Sequence, residues 1–262
     1  MTFPNFAGKH AHDALFNPQD FIDYMRQQQI FPALQMPQSI IFCYQRDLLQ
    51  HVLAHEETER VTGLPAQLHL LKSTEGKVAI CGGFGIGAPA AASALEAFIA
   101  LGVRAFVSIG IAGTLQPTLH IGDTVVCNRA LRDEGVSHHY LEASRYAYPS
   151  EWLTARLAQS LEQEGHSPVL GSTWTIDTPY RETVAEARHY QQEGILTVEM
   201  EAAALFAVAH YRGVDMAAAF VISDSLAELV WNPQFGAEIV ENNLTRLYQT
   251  ARAMLAGLSP ST

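Results

Sequence analysis

A chain of 262 residues with 27 Asp and Glu against 16 Lys and Arg carries a formal charge of −11, which argues against a surface for nucleic acid or an anionic membrane, because either would repel it before specific contact. With 48% apolar and 16% charged residues it can bury a large core, and its length fits one domain of the larger α/β kind. The three cysteines, Cys43, Cys81 and Cys127, lie in apolar stretches without pair spacing, which points away from a disulfide framework or a zinc site and towards a reducing cytoplasm.

The first ten residues lack an apolar signal core, and no apolar run reaches the length of a membrane span, so a soluble protein is expected. Residues 1–38 read as an N-terminal arm holding His10 and His12, followed by a helix over 18–28 with Asn17 as cap and Pro18 in its first turn. An apolar strand over 39–44 leads into a short helix over 46–54. Strands over 67–71 and 77–81 flank Thr74-Glu-Gly76, a hairpin pattern. The second strand runs into Gly82-Gly-Phe-Gly-Ile-Gly-Ala-Pro89 and an Ala-rich helix over 90–101. A buried strand over 104–110 then gives way to a loop, Ile111-Ala-Gly-Thr, and a strand over 122–128.

The second half keeps the rhythm: helices over 151–163, 181–192, 201–211 and 238–255, with strands over 169–174, 195–198 and 216–223 between them. Strands alternating with helices predict a largely parallel sheet covered on both faces, in a single domain over 1–262 with no linker.

Two places carry chemistry. Gly85-Ile86-Gly87-Ala-Pro-Ala90 matches a dinucleotide fingerprint between strand and helix. That fingerprint expects an acid at the end of the next strand, which here ends Val107-Ser-Ile-Gly110 without one. A dehydrogenase is therefore the weaker reading. What remains is an anion site made of glycine-turn and helix N-terminal amides, or simply close packing of strand and helix. Thr197-Val-Glu-Met-Glu201 places two carboxylates and a methionine where a strand becomes a helix, and Val221-Ile-Ser-Asp224 ends the next strand on an acid. In an open α/β sheet both ends can face one pocket; as bland alternatives, the acids are caps and Met200 is core filler.

Gly85-Ile-Gly-Ala-Pro, Ser108-Ile-Gly-Ile-Ala-Gly113, Ile121-Gly-Asp-Thr-Val-Val, Thr197-Val-Glu-Met-Glu-Ala and Val221-Ile-Ser-Asp-Ser occur in the order found in the purine nucleoside phosphorylase and uridine phosphorylase family. From about residue 39 onwards the chain resembles that family. The resemblance implies a three-layer α/β/α subunit around a mixed, largely parallel central sheet, assembled as a homo-oligomer of dimers or trimers of dimers, that cleaves the N-glycosidic bond of a nucleoside. It implies ribose binding by Glu199, Met200 and Glu201, with Met200 under the sugar and Glu201 accepting from the 2′ and 3′ hydroxyls, as a carboxylate can.

By the same resemblance Asp224 protonates the departing base at N7, which favours a purine over uridine. Ser223 lies beside it, and the loop Thr178-Pro-Tyr180-Arg181 surrounds the base, Tyr180 stacking and Arg181 hydrogen bonding. His10 or His12 matches a histidine that reaches a neighbouring subunit's ribose 5′ hydroxyl. Arg132-Asp-Glu-Gly and His138-His-Tyr140 fall where a substrate-side loop lies in the family.

The phosphate half departs from the pattern. Cys43-Tyr-Gln-Arg46 stands where a Gly-Asp turn is usual, Ser108 stands in place of an arginine, and Ile111 in place of a hydroxyl residue. For inorganic phosphate as co-substrate the chain offers the amides of Gly85, Ile86 and Gly87, Ser108, and Arg46 in a shifted register. No cofactor and no metal are implied. The hydrolytic branch of the family uses water and needs a base, for which Glu199 is the nearest candidate; a non-catalytic nucleoside binder is the third reading.

Overall fold

The computed structural model describes residues 3–28, 36–64 and 66–258. Residues 1–2 and 29–35 of the expected N-terminal arm, Pro65 and residues 259–262 lie outside the described residues. In chain order the strands are β1 (Ser39–Cys43), β2 (Thr58–Val61), β3 (Gln67–Leu71), β4 (Val78–Gly82), β5 (Ala105–Thr114), β6 (Thr124–Asp133), β7 (Tyr146–Ala147), β8 (Val169–Ile176), β9 (Thr197–Glu199), β10 (Asp215–Ser225) and β11 (Asn232–Pro233). The helices are α1 (Pro18–Gln27), α2 (Arg46–His55), α3 (Ala88–Ala100), α4 (Ser137–Tyr140), α5 (Glu151–Gln163), α6 (Val184–Gln192), α7 (Ala202–Arg212) and α8 (Glu238–Ala256).

Alternation along the central strands sorts their side chains onto two faces. Ile40, Phe42, Phe106, Met216, Ala218 and Phe220 pack with α3 and α7. Their neighbours Ile41, Cys43, Val107, Ile109, Ala217, Ala219 and Val221 pack with α2, α5 and α8. The result is three layers, α/β/α. The alanines of α3 and α7 are the reason those two helices lie close together: Ala202 to Ala209 is buried throughout, and small side chains let helix axes approach. Cys43, Cys81 and Cys127 are buried, unbridged thiols, and no helix among the described residues is long and apolar enough to cross a membrane.

The sheet is mixed. β1 runs parallel between β4 and β5, and β5 runs parallel to β10. β6 and β8 are parallel, as are β8 and β9, but β10 meets β6 and β5 meets β9 in antiparallel sense. Because β5 pairs with both β10 and β9, the five strands β5, β10, β6, β8 and β9 close into a ring. Sheets that close tightly need glycine where backbones crowd. At Gly171 of β8 an added Cβ would fall 2.0 Å from Leu196 Cδ1 and 2.6 Å from its Cγ. Gly171→Ala is expected to cost about 1–3 kcal/mol, read as a lower denaturation midpoint with unchanged secondary structure by circular dichroism.

Several boundaries differ from the sequence reading. Ile111 to Thr114, expected as a loop, forms the second half of β5, because Gly110 and Gly113 leave room for the side chains that close over this strand. β6 likewise continues to Asp133. β2, β7, β11 and α4 are too short to show a period and were not anticipated. The 74–76 turn is a hairpin, with Glu75 and Gly76 at positive φ between antiparallel β3 and β4.

Candidate active site

The site begins where β9 ends. β9 lies antiparallel to β5 with Val198 opposite Gly113, so the chain leaving β9 turns back towards the middle of β5 as it enters α7. Glu199 is the last strand residue and Glu201 occupies the position before α7. The Glu199 carboxylate accepts from the Glu201 and Ala202 amides, each at 2.7 Å, and from Thr175 Oγ1 at 2.5 Å. It thus satisfies the first amides of α7, as a helix cap does. Glu199, expected at the ribose and as a candidate base, is a positioning residue whose contacts are spent inside the protein.

Glu201 is different. Its Oε1 accepts from the Gly87 amide at 2.5 Å, which ties the strand-to-helix turn to the glycine loop and uses a donor that the sequence reading assigned to phosphate. Among the described residues no side chain hydrogen bonds to its other oxygen. Met200 Cε lies 3.9 Å from where a Gly87 Cβ would stand, and Gly87 has φ +90, so Met200 packs beneath the loop at the one residue able to hold that turn. Gly85 shares the positive φ, and Ile86 between them is 66% exposed.

Burial raises the pKa of both Glu199 and Glu201 above the ordinary carboxyl range, and the charge of Glu201 raises Glu199 further against the pull of its hydrogen bonds. The sign for stability follows. Below the unfolded-state pKa both states are protonated and no penalty exists. As pH rises the unfolded chain ionises first, so stability falls until the folded pair ionises too. Glu199→Gln is expected to remove on the order of 1 kcal/mol or more of that loss, seen as a flatter profile of urea midpoint against pH between the ordinary carboxyl range and mild alkalinity.

Tyr44 stands directly after β1, near enough for Glu201 and Glu199 to raise its phenol. Its hydroxyl lies 3.1 Å from Ser108 Oγ, and its ring packs edge-on to Phe84 of the glycine loop at 5.4 Å. Arg46 opens α2 on the surface and is exposed. The structure brings Ser108 to the site, but among the described residues no Lys, Arg or His hydrogen bonds to Tyr44, Ser108, Glu199 or Glu201.

Asp224 arises from an irregularity. β10 follows β5 in register through Ile222 opposite Ala112, then Asp224 pairs with Gly113, leaving Ser223 as an extra residue. Such a bulge re-aims the next side chain. Asp224 Oδ1 accepts from Ser223 Oγ at 2.8 Å, and Oδ2 accepts from Trp231 Nε1 at 3.0 Å. Ser223, expected at the base, therefore orients the acid. Oδ2 also lies 3.0 Å from where a Cβ on Gly113 would stand, and Val198 Cγ1 lies 3.2 Å from the same point. Gly113 is the hinge at which the Glu201 turn and the Asp224 bulge adjoin. Burial raises the Asp224 pKa, with Ser223 and Trp231 opposing.

Two neighbours of Asp224 escaped the sequence reading. Trp231 precedes β11, whose pairing with Asp224 and Ser225 folds residues 226–237 back over the strand end. Glu182 is pushed up to about 7 by burial, by the charge of Asp224 and by Glu186. The acid adjoining Arg181 in the base loop was the available signal for Glu182; for Trp231 there was none. Arg181 lines a cavity of about 460 Å³ with Asp133, Ile176, Thr178, Thr183 and Glu186, whereas Tyr180 is 100% exposed and stacks on no ring among the described residues.

The histidines lie on the arm's own α4 side. His10 Nε2 is 3.7 Å from Glu142 Oε1, and His12 meets the Phe6 ring at 5.7 Å, while Lys9 Nζ reaches His139 Nδ1 at 2.8 Å. Neither His10 nor His12 contacts the Glu201 group among the described residues. Arg132 is buried and spent on Ser137 Oγ, the Glu142 carbonyl and Ser144 Oγ at 2.9, 2.7 and 2.6 Å. It fastens the 134–147 segment. Among the described residues no three His, Cys, Asp or Glu side chains converge as metal ligands.

A profile of the Phosphorylase superfamily matches residues 46–256. The chain is 31% identical over 142 residues to the guanosine phosphorylase of Halorubrum lacusprofundi, covering 54% of this chain and 59% of that protein. It is 27% identical over 161 residues to the uridine phosphorylase of Haemophilus influenzae, covering 55% and 64%. A purine nucleoside phosphorylase of DeoD type from Caldanaerobacter subterraneus is 31% identical over 154 residues, covering 58% and 66%. The matched region thus spans about three fifths of these curated relatives.

Among solved structures, uridine phosphorylase from Vibrio fischeri ES114 superimposes with a TM-score of 0.72 at 23% identity, covering 86% of this chain and 93% of that one. A Plasmodium knowlesi homologue of P. falciparum PNP gives 0.70 at 21%, covering 84% and 90%. These two likenesses concern the fold. With the profile spanning most of its length, the chain belongs to the Phosphorylase superfamily.

Proposed function

We propose that the protein cleaves the N-glycosidic bond of a nucleoside, with a purine favoured over uridine. The observation that carries this reading is Asp224, set on a bulge, partly shielded from water and held by Ser223 and Trp231. As the bond between the anomeric carbon and the base nitrogen breaks, its electron pair leaves with the base, and a carboxylic acid there donates the proton that neutralises it. Glu201, with one oxygen tied to Gly87 and no side chain among the described residues bonded to the other, and Met200 beneath the loop fit a ribose. The names of the relatives, guanosine, uridine and purine nucleoside phosphorylase, support the substrate class without choosing the base.

The ribosyl group needs an oxygen acceptor, inorganic phosphate in a phosphorylase or water in a nucleosidase, and the half of the site around Tyr44 bears on which. A homo-oligomer is part of the proposal, because the arm and α1 expose Phe6, Leu15, Phe16, Phe21 and Tyr24. Purified protein incubated with purine and pyrimidine ribonucleosides, with and without phosphate, tests it by chromatography of the released base. Release from purine ribonucleosides is expected; no base from any nucleoside under either condition overturns it.

A further inference from the structure

We propose that Tyr44 selects the nucleophile in this site, filling the place a phosphate would need and leaving room for water alone. The inference rests on the glycosidic-cleavage reading and deepens it.

β1 and β5 run parallel with Phe42 opposite Ser108 and Cys43 opposite Ile109. One step further, Tyr44 falls at the level of Gly110. Its Cδ2 lies 3.3 Å and its Cε2 3.8 Å from where a Cβ on Gly110 would stand, so the ring covers the bare backbone of the central strand. The hydroxyl reaches Ser108 Oγ, and Phe84 closes the far side from the glycine loop. At the carboxyl end of β1, where such sheets hold ligands, the Tyr44 ring stands over the central strand.

Burial raises the Tyr44 phenol, and Glu201, then Glu199, add to that rise while the Ser108 hydrogen bond opposes it. No Lys, Arg or His hydrogen bonds to Tyr44, Ser108, Glu199 or Glu201 among the described residues. On this reading the ring keeps a dianion from the Ser108 hydroxyl and the Gly110 backbone, so its lost hydration is not replaced. Water meets no such obstacle. Gln45 Oε1, buried and without a donor among the described residues, lies 3.7 Å from the same Gly110 position and supplies an acceptor for one.

In the resulting step the water oxygen bonds to the anomeric carbon as the carbon–nitrogen bond breaks. The base takes the electron pair and the Asp224 proton, the surplus water proton leaves to solvent, and free ribose is released. Transfer of that proton back to Asp224 through solvent restores the site.

Three measurements test the proposal. With wild type and a purine ribonucleoside, free ribose and an unchanged rate are expected whether or not phosphate is present; ribose 1-phosphate as product would overturn it. Titration calorimetry with inorganic phosphate alone, which does not depend on turnover, should show no binding to wild type or to Tyr44→Phe, which keeps the ring. Tyr44→Ala should bind phosphate at least tenfold more tightly than wild type. Wild-type binding equal to that of Tyr44→Ala would overturn the proposal, provided both melt cooperatively. Failure of the cleavage reading would show instead as no base released by any of the three proteins.

Discussion

Asp224→Asn is expected to slow base release from purine ribonucleosides by roughly 10²–10³-fold in kcat while leaving KM nearly unchanged. Asn keeps the shape and can still bond to Ser223 Oγ and Trp231 Nε1, the two partners that hold the carboxylate, so the loss reports the proton. The pH profile separates this from a positional effect. Burial raises the Asp224 pKa, the acid is protonated below that value, and wild-type turnover should fall as pH rises through it. The residual activity of the variant should lack that alkaline limb. A variant with wild-type kcat and the same limb would place the proton donor elsewhere, with Glu182 as the next carboxyl to replace.

Glu201→Ala is expected to act on binding. A charged acceptor shared by two vicinal hydroxyls is worth about 3 kcal/mol, near a 10²-fold rise in KM for ribonucleosides. The sharper readout is discrimination: wild type should prefer ribonucleosides to 2′-deoxyribonucleosides, and the variant should treat them alike. Because Glu201 also holds the Gly87 amide, Glu201→Gln serves as the control. It retains an acceptor for Gly87 and should melt no lower than wild type, yet bind the two hydroxyls less well. Equal preference for the two sugars in wild type would remove the ribose role from Glu201.

What was legible in the sequence was what depends on short-range pattern. The strand-to-helix turn at Thr197–Glu199 and the apolar strand ending at Asp224 place their acids by period alone, and both acids are where that reading put them. Glu199 shows the limit. Two glutamates flanking a methionine read alike in one dimension, and only Thr175 on β8 and the first amides of α7 show that one of them is a cap. Tyr44 shows another limit. In sequence it registered as a missing Gly-Asp turn; its meaning depends on Gly110, 66 positions later on a neighbouring strand, lacking a Cβ. The Asp224 bulge is set by the register between β10 and β5, a property of neither strand by itself. The extension of β5 through Gly113 was hidden for a related reason, since its glycines serve the side chains packed above it and read locally as a turn.

The ring of β5, β10, β6, β8 and β9 bears on how a ligand gets in. Strands with partners on both sides exchange their amide hydrogens only through large-scale opening, and Gly113, Val198 and Ile222 all belong to that circuit. The two acids therefore ride on the part of the molecule that opens last. On the proposed function, admission of a nucleoside would fall to segments outside the circuit, the glycine loop over Met200 and the stretch 226–237 that carries Trp231. Solvent-exchange protection on ligand binding should be confined to those two segments, with the strand amides as slow before binding as after it.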